Sequence, residues 1–223
     1  MDLQYCEKFG YDKSKVNERL ALVGLSDADH TTAGRIQQEV IVPRFNAIVD
    51  LFFDQLLKIS DARQMLHSDE LLSAERKNQS RFLLSLGMGF DSLSYFEDRL
   101  RVGVAHSAAG LPISLYICSF QLLIQSIIEN FPDTLRNNID DYRTFTRFLM
   151  KISTLDMSLA IDTCFINQLK SFEQSLGGMQ VLASHLEKHA VTDSLTGMVN
   201  HEHVFSELQQ AIVKTQAERY RSL

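Results

Sequence analysis

Long stretches without a helix breaker constrain this chain more than any other feature. Its three prolines stand at positions 43, 112 and 132, and only ten glycines serve 223 residues. Between these breaks apolar residues recur at steps of three and four, the period of a helix with one buried face. Phe45, Val49, Phe52, Leu56 and Ile59 follow Pro43 in this way, and Leu93, Phe96, Leu100 and Val104 do so before Gly110. Pro112 sits where a first helical turn tolerates proline. From there Tyr116, Phe120, Leu123, Ile127 and Phe131 run to Pro132, and a further helix is expected from about Asp140 into the 160s. No strand-like alternation bounded by turn residues competes with this pattern. The reading is an all-α fold.

At 45% apolar residues the chain has ample material for a core, and a formal net charge of −6 with no Lys/Arg block argues against a nucleic-acid partner. Cys6, Cys118 and Cys164 are odd in number and far apart, the usage of a reduced intracellular protein. The N-terminus lacks an apolar signal core. The longest apolar stretch, 111–128, is broken by Ser and Gln, which suits a buried helix better than a membrane span. These features together predict a cytoplasmic protein with no membrane partner.

Seven histidines occur, with no HExxH and no Cys/His pair at zinc spacing, and no GxSxG supplies a nucleophile elbow. His106 stands apart. It continues a face with Tyr95, Arg99 and Val102, about 200° around the helix from Val104, and is followed by Ser107, Ala108, Ala109 and Gly110. One reading is a histidine whose charge suits a helix C-terminus. The other is a ligand: the small neighbours let something large and flat reach the ring, and the Phe/Leu-rich helices at 45–59 and 82–96 offer an apolar slot. Spacing alone leaves both open.

The stretch "RVGVAHSAAGLPISLYICSFQLLI", with "IVDLFFDQLL" about fifty residues upstream, resembles the sensor globin of the globin-coupled sensor family. Arg101, Val102, His106, Gly110 and Leu111 match its R-[IV]-x-x-x-H-x-x-x-G-L segment, and the likeness extends over roughly residues 17–168. It implies a globin-like sensor domain over 1–168 that binds haem b, with His106 as proximal ligand of the iron and the opposite face left for O2, CO or NO. Arg99 or Arg101 would reach a haem propionate, or else each is solvated surface. Where the family carries a distal tyrosine in "FY[DE]", this chain has Phe53, which cannot donate a hydrogen bond. Counting back from His106 puts Glu75 and Asn78 on the distal helix, with Asn78 either the substitute donor or a surface residue. Leu115 stands at the family's tryptophan. These departures bear on O2 sensing more than on haem binding.

Leu169, Phe172, Leu176, Met179, Ala183, Leu186 and Ala190 form a heptad seam over 169–191, interrupted by Gly177-Gly178. It reads either as an amphipathic helix packed on its own domain or as the linker of a parallel homodimer. Beyond it "TDSLTGMVNHEHVFSEL" resembles the D-x-L-T-G-L-x-N-R-x-x-F opening of a GGDEF diguanylate cyclase domain. Asp193, Leu195, Thr196, Gly197, Asn200 and Phe205 match, while Met198 and His201 depart. Residues 192–223 would be the start of that domain. The GG[DE]EF hairpin that holds metal and nucleotide is not in the sequence, so this chain is not expected to make cyclic di-GMP, whereas an intact protein would. Two functions follow: a haem-based gas or redox sensor regulating a cyclase, or a haem-free globin-fold signalling module for another small ligand or a protein partner.

Overall fold

A computed structural model describes residues 3–191, 198–199, 204–205 and 208–214. The chain divides into two compact units, Met1–Asn167 and Gln168–Leu223. The helices are α1 (Gln4–Phe9), α2 (Lys13–Val23), α3 (Asp29–Ile36), α4 (Phe45–Leu56), α5 (Ser60–Met65), α6 (Asp69–Ser85), α7 (Leu93–Ala108), α8 (Ile113–Glu129), α9 (Asp133–Arg136) and α10 (Ile139–Val191), with a π-helical turn at Gln37–Ile41 after α3. Among the described residues there is no strand, as the spacing predicts. No helix among them is long and apolar enough to cross a membrane.

The helices start and stop where local chemistry directs. Asp12, Ser68 and Ser92 cap α2, α6 and α7 by accepting from backbone N–H groups in the first turn. Gly110, at φ +69°, takes the left-handed conformation that ends the His106 helix. Pro112 is the cap of α8 rather than its first residue. The segments read from sequence as a helix to the 160s and a separate seam at 169–190 are one helix, α10, because no proline intervenes. Asp193, Leu195, Thr196, Gly197, Asn200 and His201 lie outside the described residues.

In the first unit the apolar stripes meet in one core, with Phe53, Phe96, Leu100, Phe145, Phe148, Leu149 and Ile152 among its most deeply buried members. Polar contacts fix how the short N-terminal helices join it. Glu97, buried on α7, accepts from the backbone N–H groups of Tyr5 and Cys6 at 2.9 and 2.8 Å and so caps α1 from outside. Gln37, in the π-turn, donates to the carbonyls of Leu83 and Leu86 at the end of α6. Ion pairs Arg19–Asp162, Lys151–Asp29 and Arg35–Asp141 tie α2, the start of α3 and its end to α10.

Candidate functional site

α7 presents two adjacent stripes, and they serve different purposes. Tyr95, Arg99 and Gly103, one turn apart, face α10, while Val102 and His106 face a cavity. The Nδ1 atom of His106 lies 2.8 Å from the carbonyl oxygen of Val102. A carbonyl only accepts, so Nδ1 carries the proton and donates, which in the neutral ring leaves the lone pair on Nε2. The ring is half-buried and tilted against Tyr116 of α8, centroids 5.2 Å apart.

The cavity beside His106 has a volume of about 350 Å3. Its walls are Phe52 and Leu56 from α4, Met65 from α5, Phe82 from α6, and Leu115, Phe120 and Leu123 from α8. A wider chamber of about 670 Å3 shares Phe82, Val102 and His106 and adds the polar side chains of Arg81, Ser85, Asp98, Arg99 and Arg101. Both volumes fall within the usual range of ligand sites, roughly 300–1,000 Å3. The arrangement is an apolar cavity beside a chamber lined by charged side chains of both signs, which suits a largely apolar molecule with a polar edge.

The sequence-predicted residues fall as follows. His106 and Asn78 line both chambers, as does Glu75. Phe53 is fully buried but is not among the lining side chains. It stands edge-on to Phe52, centroids 5.0 Å apart, with the Arg76 guanidinium 4.6 Å from its ring. Leu115 lines the slot where the family's tryptophan would fall. His67 is exposed and bonded to the Gln64 carbonyl, and His30 stacks on Phe90; neither lines the cavity. Sequence reasoning missed Gln79, which lines both chambers. The signal was there: residues 75, 78, 79 and 82 form one helical face.

Arg99 corrects one expectation. Read as solvated surface or as a propionate contact, it is only 4% exposed and ion-paired, Nε to Asp156 Oδ2, at 3.1 Å. Its guanidinium is sandwiched between Phe82 and Tyr95, 4.3 Å from each ring, and donates to the carbonyl and hydroxyl of Ser85. Tyr95 donates its hydroxyl to Asp156 at 2.8 Å and accepts from the Gly87 N–H. Burial pushes the Asp156 carboxyl up to about 6, against the opposing pull of Arg99 and Tyr95. Arg101 is the solvated one, paired with Asp98 at 3.1 Å.

Among the described residues no three His, Cys, Asp or Glu side chains gather to hold a bare metal ion. An imidazole at the wall of an apolar slot, its Nδ1 held by a carbonyl, instead fits a metal that arrives inside its own macrocycle. The family described as Protoglobin matches residues 12–170. A search among curated proteins finds no match.

Proposed function

The chain belongs to the protoglobin family, and on that premise we propose that its cleft holds haem b in a sensor of a diatomic gas or of redox state. The observation that carries this reading is His106, with Nδ1 bonded inside its own helix and the ring at the wall of the slot. His106 would hold a haem iron, which would supply the binding of O2, CO or NO. The protein's part is to bind and orient. Val102 holds the His106 tautomer, Phe52, Phe82, Phe120 and Leu123 exclude water, and Arg81 at the wider chamber suits a carboxylate. Asn78 and Gln79 are the amides from α6 able to donate to a bound gas, a task closed to the phenylalanines of α4.

The output we propose is a paired diguanylate cyclase. The exposed seam of Leu169, Phe172, Leu176 and Met179 supports homodimerisation through 169–191, and the GGDEF-like opening at 192–205 supports the cyclase. Ligand state would bias two dimer arrangements, which is what coupling between distinct sites requires.

The absorption spectrum of the purified chain with haemin tests the site. A Soret band is expected, lost in His106→Ala and restored by added imidazole, with His67→Ala unchanged. A featureless spectrum would replace this reading with the haem-free module.

A further inference from the structure

The stripe of α7 that faces α10 is locked at three successive turns. Tyr95 gives its hydroxyl hydrogen to Asp156, with oxygens at 2.8 and 3.0 Å, and Arg99 stands 3.1 Å from the same carboxylate. One turn further the two backbones close in. A Cβ on Gly103 would lie 2.7 Å from the Ala160 Cα and would collide with the Thr163 hydroxyl. The Cys164 thiol, on the same face of α10, meets the Gly103 carbonyl at 3.6 Å.

His106 follows Gly103 by three residues, about 60° around the helix. Any rotation of α7 that moved the imidazole in the slot would therefore have to break these contacts. An apolar pair would bury as well without the cost of desolvating two charges. The ionic latch instead joins four segments: the end of α6 through Ser85, the following turn through Gly87, α7 itself, and α10.

We infer that Asp156 is a positioning residue for His106: through Tyr95 and Arg99 it sets the rotation of α7 and so the orientation of the imidazole in the cleft. The inference concerns the imidazole itself, and only its second readout rests on the haem reading.

The first readout is nuclear magnetic resonance of the histidine rings in the ligand-free chain. Asp156→Asn keeps the volume and an acceptor but removes the charge. His106 is expected to move and to lose part of its Nδ1–H tautomer, because the Val102 bond depends on ring orientation, while His67 stays in place. Ser153→Ala, another buried polar site on α10, is expected to leave His106 unmoved. The second readout is transfer of haemin from the loaded chain to excess apomyoglobin. It is expected to quicken about tenfold in Asp156→Asn, the scale on which outer partners act on metal ligands. Should Asp156→Asn fail to fold, Arg99→Met compared with Arg99→Lys asks the same question, with the lysine expected to recover part of the wild-type His106 signal. Unmoved His106 resonances in a folded Asp156→Asn chain, or in Arg99→Met, overturn the inference. If the wild type takes up no haemin, the haem reading fails and the resonances still decide this one.

Discussion

Two stretches of α10 carry the same pattern and meet opposite fates. Phe145, Phe148, Leu149 and Ile152 are at most 1% exposed, whereas Leu169, Phe172, Leu176 and Met179 are 41–63% exposed. Both step by three and four. The first set is covered by the other helices of its own unit; the second has no such cover among the described residues. An apolar stripe thus specifies that a face needs covering, not which chain covers it.

The largest effect expected from this contrast is on folding stability. Phe148→Ala is expected to cost about 3–5 kcal/mol, the usual range for emptying a buried aromatic site, read by urea unfolding. Leu176→Ala on the exposed stretch should stay within about 0.5 kcal/mol at concentrations where the chain is monomeric. Comparable losses at both sites would erase the distinction.

The buried stretch also carries a carboxyl, and pH separates it from the rest. Burial pushes Asp156 up to about 6, above the ordinary carboxylate value of about 3.9. The folded chain therefore holds that proton more tightly than the unfolded one. Its stabilising contribution is complete below about pH 4 and is lost as pH rises through 6, about 3 kcal/mol in all. Other carboxylates pull the opposite way, so the readout is the difference between wild type and Asp156→Asn. That difference should change between about pH 4 and 7 and level off on either side. A difference flat across the range would mean that Asp156 ionises as readily folded as unfolded.

For the exposed stretch the measure is association. Wild type is expected to sediment as a dimer at tens of micromolar. Leu176→Lys with Leu186→Lys should weaken pairing by about a hundredfold, or roughly 2.7 kcal/mol. A wild-type monomer would leave the exposed seam without the partner proposed for it.

The smallest effect sharpens the contrast through glycine. At Gly177 and Gly178 an added Cβ meets nothing within 4 Å, so each change to Ala should stabilise the helix by about 1 kcal/mol. At Gly103 the same change should destabilise the first unit, because α10 backbone occupies the space. Circular dichroism melts of the three variants compare the signs directly.

Much of the first unit was legible from residue order. The stripes on α4, α7 and α8 were readable because each helix must bury one face, and His106 stood out because small residues follow it. The short helices α1, α5 and α9 carried too few turns to show a period. Gln79 was readable in principle, sharing a helical face with Asn78. Arg99 was not: a guanidinium at helical spacing is ordinarily solvated, and its partner Asp156 lies 57 positions away along the chain.

Residue order alone dictates that this chain is helical, that helices stop at Gly110 and before Pro132, and that His106 ends one of them beside small residues, because propensity, capping and periodicity act over a few positions. Which faces meet is a matter of packing across the whole unit. It placed Phe52 and Gln79 on the wall of the slot, brought α7 against α10 at Gly103, and buried Arg99 with Asp156. Those outcomes depend on close packing and on charge pairing between residues far apart in the chain, and no local pattern records them.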